Sequence, residues 1–453
     1  MRSHKAMVFI LMLICSLGVF SISTLLLSNP DTKCIDEPVR QFGLAYTPHD
    51  VIWIQNNQEL IDQADAESWP GEGTAESPYV ISGFSFDQDT QPVRIWNTDL
   101  YWIFTGNLID SDLTGQQCGT WIDNVKNGVI SGNVIRHRHA GMYVLNVENF
   151  NITDNEIHDN LGYGMEFGGW IKSCNVSGNT LYNCPTGGIR IPAGTFNSTI
   201  IGNTVSDSAM GINLLGAVHN SSISRNSIEN VAGQGIGLAM ITNTIVSFNS
   251  VANASDESIA IYGSTISQVV NNTITNSQDD GLVLSFCDES LVQYNTIIGS
   301  ENVGILATSG AYSSILWNTI ENSLGYGIEL RVDTEYFEVK YNTFENNGVT
   351  CQICDHGMSN EISFNYYSDW TNPDDDSNGI VDNPYVADGD ANNEDPYPLV
   401  VEGVVPSIEE PTTSTTTPTN PEEPVQIPMN LILVGAAVIA IVIISGAMLL
   451  KKR

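Results

Sequence analysis

Five residues between 374 and 382 can place hard oxygen donors at alternate positions. Asp374, Asp376, Asn378, Gly379, Ile380 and Asp382 stand where positions 1, 3, 5, 6, 7 and 9 of an EF-hand-type loop would stand. Donors at alternate positions can wrap one calcium ion. The position-7 residue, here Ile380, supplies a backbone carbonyl, and the glycine permits the sharp turn. Tyr385 occupies position 12 in place of the bidentate Glu. Weak calcium affinity is therefore expected, in roughly the 10⁻⁴–10⁻³ M range of extracellular modules. Asp388, Asp390 and Asn392 can serve as outer ligands or form a second partial loop.

Two further sets could do chemistry if the fold brings them together. Asp256 and Glu257 are followed 23 residues later by Asp279 and Asp280, with Glu301 and Asn302 beyond. Stacked carboxylates can act as an acid/nucleophile pair or hold a cation. Tyr143, Glu166, Arg190 and Asn213 recur at intervals of 23, 24 and 23. Aromatic and planar polar groups on one face suit contact with carbohydrate.

Those spacings belong to a repeat that runs through most of the chain. Asn107, Asn133, Asn155, Asn179, Asn203, Asn226, Asn249, Asn272, Asn295, Asn318, Asn342 and Asn365 follow one another at intervals of 22 to 26. An apolar or aromatic residue stands three before each asparagine and another two after it. A second register is in phase: Gly141, Gly164, Gly188, Gly211, Gly235, Gly281, Gly304 and Gly327, with Ser258 in the one gap. Apolar residues follow one and three positions after these sites. A fixed period of this length marks a solenoid, and alternation at period 2 marks short strands. Such strands pair with their own copies one coil away, stacking equivalent residues roughly 4.8 Å apart. The asparagines then form a buried amide ladder. A partial second ladder is expected four residues on, at Asn183, Asp207, Asn230, Asn253, Asn276, Asn322 and Asn346. The repeat glycines are expected to allow a turn of positive φ.

With these registers the chain resembles a right-handed parallel β-helix of the pectin-lyase-like superfamily, and within it the NosD-like repeat proteins of archaeal cell surfaces. The resemblance covers roughly residues 48 to 400. It includes the entry segment Gly71-Glu72-Gly73-Thr74 with Pro78-Tyr79-Val80-Ile81, and the exit Asn365-Tyr366-Tyr367-Ser368-Asp369-Trp370. It implies an all-β solenoid of about a dozen coils. The copper-site role associated with NosD is not carried over, because the chain lacks a clustered Met/His set.

The expected order of segments follows from composition. Residues 1–28 are a signal peptide or N-terminal anchor, and 29–90 an N-terminal cap and entry segment with a short helix near 57–66. Residues 91–368 are the parallel β-helix, 369–400 an acidic cap loop, and 401–428 a Thr/Pro-rich stalk. Residues 429–450 carry no charge and are long enough to span a bilayer. Lys451, Lys452 and Arg453 follow, so the tail is expected inside the cell and the rest outside. Sequons at Asn151, Asn175, Asn197, Asn220, Asn253 and Asn271 fit a glycoprotein.

The chain carries 16 basic and 52 acidic residues, a formal net charge of −36. A surface this negative repels nucleic acid and other polyanions and attracts cations. Eight cysteines are present; Cys351-x-x-Cys354 without a second pair reads as buried thiols or one local disulfide. The expected function is a membrane-anchored, non-enzymatic surface module that binds carbohydrate or another envelope component. The alternative is a membrane-tethered polysaccharide lyase or glycoside hydrolase using Asp256, Glu257, Asp279 and Asp280.

Overall fold

The computed structural model describes residues 46–111, 117–348 and 351–404. The apolar segments at both chain ends, stalk residues 405–428 and Cys34 lie outside them. Among the described residues no helix is long and apolar enough to cross a membrane.

Three parallel sheets run along a solenoid, each built from one strand per coil. One sheet has 14 strands, from Thr47–Pro48 to Tyr366–Tyr367, and contains the residue two after each asparagine. A second has 13 strands, from Tyr79–Ser82 to Glu361–Ser363, and contains the residue three before. The third, here the glycine-side sheet, runs from Ile52–Ile54 to Ile353–Asp355. Register follows the repeat without slippage over long stretches. Ile135, Ile157, Leu181 and Val205 pair in sequence, and all four are buried in one continuous core.

The asparagines form the expected ladder from Asn107 to Asn365. Asn295 shows the pattern. Its Nδ2 donates to Oδ1 of Asn318 at 2.9 Å and to the Val269 carbonyl at 2.8 Å. Its Oδ1 accepts from the backbone N–H and Nδ2 of Asn272, each at 2.9 Å. Each side chain thereby satisfies turn groups that burial would otherwise leave unpaired. The second ladder exists as an exposed one, with Asn253 donating to Asn230 at 3.0 Å and Asn276 to Asn253 at 3.2 Å.

The repeat glycines play a different part from the one expected. Gly141, Gly164, Gly188, Gly211, Gly235, Gly281, Gly304 and Gly327 do not have positive φ. They are there for space. A Cβ on Gly188 would stand 2.4 Å from Val205 Cγ1, and one on Gly304 2.4 Å from Ile320 Cγ2. The glycine backbone packs directly onto the inward residue that follows the next asparagine.

Positive φ belongs instead to the residue before each asparagine. Gly106, Gly132, Gly178 and Gly202 fill it in the early coils, whereas Phe248, Tyr294, Trp317, Tyr341 and Phe364 adopt it later. A bulky residue there costs on the order of 1 kcal/mol. Stacking compensates: Trp317 and Tyr341 lie 4.6 Å apart, Tyr341 and Phe364 5.7 Å, and Phe364 and Tyr397 5.0 Å, each contact worth about 0.5–1.5 kcal/mol.

The solenoid begins earlier than residue 91. Ile52–Ile54 pairs with Val93–Thr98, and Tyr79–Ser82 with Trp102–Thr105. The helix Asn57–Glu67 is inserted between them. The Asn56 side chain caps its N-terminus by accepting from Glu59 N–H at 3.0 Å, and Leu60 and Ala64 are its buried residues. At the other end a short antiparallel pair, Tyr385–Val386 with Glu394–Asp395, forms part of the cap. Asp395 takes the place of the next asparagine. Its Oδ2 accepts from Asn365 N–H at 2.9 Å and Nδ2 at 3.1 Å. Cys118, Cys174, Cys184, Cys287, Cys351 and Cys354 are all buried free thiols. Burial pushes Cys118, Cys174 and Cys184 up to about 11, so they are unreactive.

Candidate functional site

The outer face of the glycine-side sheet carries the residues expected there, in register. Tyr143 pairs with Glu166, Glu166 with Arg190, and Arg190 with Asn213. Arg190 Nη1 donates to Glu166 Oε1 at 2.8 Å. The Arg190 guanidinium also lies 5.4 Å from the Tyr163 ring centre. Tyr143 and Glu166 are half-buried, and burial raises the Tyr143 pKa. Asn213 differs from its expected exposure: it is 5 % exposed, and Gln234 covers it, with Asn213 Nδ2 3.4 Å from Gln234 Oε1.

The same column continues toward the N-terminus through residues that the sequence reading passed over. Tyr143 pairs with Trp121, Trp121 with Arg94, and Arg94 with Trp53. Trp96 lies two residues beyond Arg94 on the same strand. The signal was present: Gly119 is 22 residues before Gly141, and Trp121 follows it by two, as Tyr143 follows Gly141. The earlier coils lack the glycine, so the register fades there.

Gln234 links this face to the acidic turn. Its Nε2 donates to Glu257 Oε2 at 3.0 Å and to the Tyr262 hydroxyl at 2.9 Å. Asp256, Glu257 and Asp279 bring carboxylate oxygens within 4.8 Å of one another. Asn302 Nδ2 donates to Asp279 Oδ1 at 3.3 Å. Burial and the neighbouring Glu257 raise the Asp256 pKa. Asp280 is not part of this group. It turns inward, and its Oδ1 accepts from Val303 N–H at 2.9 Å. The reason is local: its position in the repeat faces the core edge, and it is only 5 % exposed.

Burial pushes the Asp280 carboxyl up to about 6, against the Val303 N–H that favours its charged form. The folded state therefore holds a proton more tightly than the unfolded chain. This contribution to stability is full below about pH 4 and is lost as pH rises through about 6. Asp280→Asn is expected to abolish that part of the pH dependence. Melting midpoints of parent and variant at pH 4 and pH 7 check this. Equal pH shifts in the two proteins would refute it.

The calcium-pattern loop is also assembled. Asp374, Asp376 and Asp382 bring carboxylate oxygens within 4.8 Å. The loop backbone is held by its own acids. Asn378 N–H donates to Asp374 Oδ1 at 3.0 Å, Gly379 N–H to Asp374 Oδ2 at 3.2 Å, and Asp375 N–H to Asp382 Oδ2 at 2.8 Å. Asn378 Oδ1 accepts from Ile380 N–H at 2.8 Å. Tyr385 at position 12 is turned away: its ring stacks on Tyr367 at 3.7 Å, and its hydroxyl accepts from Gln352 N–H at 2.9 Å.

Two family models match the chain. Residues 79–254 match "Periplasmic copper-binding protein (NosD)" and residues 211–366 match "Right handed beta helix region". No curated protein matches in sequence. Among solved structures the chain is similar to a periplasmic alginate epimerase AlgG double mutant, at 12% identity over 70% of this chain and 84% of that one, TM-score 0.42. It is also similar to the A-module of mannuronan C-5 epimerase AlgE4 from Azotobacter vinelandii, at 11% identity over 70% and 93%, TM-score 0.40. A third is the GH87 α-1,3-glucanase catalytic unit from Streptomyces thermodiastaticus, at 12% identity over 70% of each chain, TM-score 0.38.

Proposed function

We propose, for a chain that is a right-handed parallel β-helix repeat protein, that it is a surface module binding carbohydrate along the outer face of its glycine-side sheet. The observation that carries this reading is the continuous column Trp121, Tyr143, Glu166, Arg190. Two aromatic rings there adjoin two planar hydrogen-bonding groups on a rigid support, the combination that sugar rings and hydroxyls require. The module is held outside the cell by residues 429–450 on the 401–428 stalk. Protease added to intact cells is expected to release the β-helix; release only after lysis would reverse the orientation.

Glycan-array binding by the parent and by Trp121→Ala, combined with product analysis, tests the reading. Binding without cleavage, reduced about two- to tenfold in the variant, is the expected outcome, since a stacking aromatic contributes about 0.5–1.5 kcal/mol. Binding unaffected by Trp121→Ala overturns it. The close carboxylates Asp256, Glu257 and Asp279 favour the second reading, a polysaccharide lyase or glycosidase. Cleavage lost in Asp279→Asn would establish that reading.

Copper does not fit the described residues. Where His, Cys, Asp and Glu come together in threes among the described residues, the sets are all carboxylate, which suits hard cations and not copper. His137 is tied to Asp110 and His158 to Asp159, each at 2.7 Å. Calcium fits the loop of Asp374, Asp376, Asn378 and Asp382, with the Ile380 carbonyl. Binding would offset the repulsion among its acids and stabilise the cap by linkage. Millimolar calcium is expected to raise the melting midpoint relative to chelator, and Asp376→Ala to remove the rise. An identical midpoint with and without calcium in the parent would exclude a stabilising site.

A further inference from the structure

The first coils hold a cation in an unusual setting. The Arg94 guanidinium lies 3.4 Å from the Trp96 ring centre, 4.6 Å from that of Trp121 and 4.9 Å from that of Trp53. Trp53 and Trp96 pack edge to face at 5.5 Å, and Trp121 and Tyr143 at 5.0 Å. Three indoles thus surround one guanidinium, and Tyr143 packs against one of them.

Arg94 makes no ion pair and no hydrogen bond among the described residues. Its Nε–H and the indole N–H groups of Trp96 and Trp121 are all enclosed without a protein partner. Buried donors left unpaired are costly. The neighbouring cations are committed. Lys126 and Lys172 pair with Glu148. Arg136 pairs with Asp110, and Arg190 with Glu166. Arg138 donates to the carbonyls of Gln88 and Thr90. Asp123 on the next coil favours the Arg94 charge through space but makes no hydrogen bond or ion pair with it, and on a chain of net charge −36 an arginine left so needs explaining.

Cation–π contact accounts for the rings around Arg94, but it satisfies no N–H. Stacking fixes the guanidinium plane and leaves its edge as a preorganised fork, the geometry that receives a carboxylate or sulfate. The cluster is rich in donors that hydrogen-bond to no acceptor among the described residues, Asp123 included, so a ligand that brings acceptors can satisfy them. Trp53, 44 % exposed, and the adjoining Trp121 and Tyr143 offer apolar surface beside the fork.

We infer that the outer face of the first coils binds an acidic saccharide, the Arg94 guanidinium taking its carboxylate or sulfate and Trp53 and Trp121 its ring. This rests on the carbohydrate reading above and narrows it. The whole-molecule field disfavours long polyanions, so the site suits a single acidic residue or a chain terminus.

Titration of the full chain by tryptophan fluorescence tests this. The probes are a glucuronate-containing disaccharide, its carboxyl-reduced neutral counterpart, the neutral disaccharide bearing a sulfate ester, and inorganic sulfate. The acidic sugars are expected to bind at least tenfold more tightly than the neutral one and than inorganic sulfate. Arg94→Lys keeps the charge but loses the planar fork, and is expected to weaken acidic-sugar binding at least tenfold. Trp121→Ala is expected to weaken both the acidic and the neutral sugar. Unchanged melting of Arg94→Lys excludes misfolding, and Arg94→Gln serves as the second variant. Equal binding of acidic and neutral sugars, with Arg94→Lys unaffected, overturns the inference while leaving the carbohydrate reading intact. Inorganic sulfate binding as tightly as the sugars overturns the saccharide half. No binding by any probe overturns the inference, and the glycan array still judges the broader reading.

Discussion

Asn295→Ala is expected to destabilise the β-helix by about 3 kcal/mol, far more than loss of one surface amide would. The variant leaves the Asn272 N–H without its acceptor and the Val269 carbonyl without its donor, both buried in the turn. Each such group costs about 1–3 kcal/mol, and the void left by the side chain adds to this. Asn276→Ala in the exposed ladder is the comparison. Its amide donates to Asn253 at 3.2 Å from an exposed position, and the expected change is within about 0.5 kcal/mol. Denaturant unfolding of the two variants measures the difference. Equal, small effects would show that the buried ladder follows from the coil and does not hold it.

The second large effect is expected at the end of the ladder. Asp395 is fully buried and accepts four N–H groups: both donors of Asn365, Phe364 N–H at 3.0 Å and Tyr397 N–H at 2.9 Å. Burial raises its pKa, while these donors favour the carboxylate. Asp395→Ala leaves several donors unpaired at once. Each buried donor left unpaired costs about 1–3 kcal/mol, so the loss is at least about 3 kcal/mol. A solenoid couples mainly to its nearest neighbours, so the damage should be local. Hydrogen exchange at Phe364 and Asn365 is expected to lose protection, whereas Asn249 stays protected. Protection at Asn365 equal to the parent would mean that the cap does not close the ladder. Asp395→Asn keeps one acceptor oxygen and is expected to lie between.

The two effects share a cause that composition hides. The asparagine repeat was visible because every coil needs the same amide in the same place. Asp395 was not visible as part of it. It lies 30 residues after Asn365, in a segment without the repeat, and the chain reaches the ladder position only by folding back as Glu394–Asp395 against Tyr385–Val386.

The site shows the same division. Tyr143, Glu166 and Arg190 could be placed on one face by counting from the repeat glycines, because strand alternation and a fixed period determine direction. Trp121 was within reach of the same count. Arg94 and Trp53 were not, since the helix Asn57–Glu67 and the entry segment interrupt the spacing before the first regular coil. Asp280 was expected beside Asp279, yet adjacent residues at a turn face opposite ways, and only packing against Val303 decides which is buried.

The sequence by itself determined the coil: its period, its strands, its buried amide ladder and which residues line the core. Translation by one repeat makes local pattern and long-range contact the same statement. Tertiary structure alone decided what breaks that translation: the aromatic enclosure of Arg94, the inward turn of Asp280, the cover that Gln234 lays over Asn213, and the closing carboxylate of Asp395. It also decided why the repeat glycines are glycines. Their backbone angles are ordinary, and the constraint is the side chain of the next asparagine-linked strand pressed against the backbone, as at Gly188 and Val205. A close approach between strands distant in sequence leaves no mark in either strand alone, which is why spacing revealed the position and only packing revealed its cause.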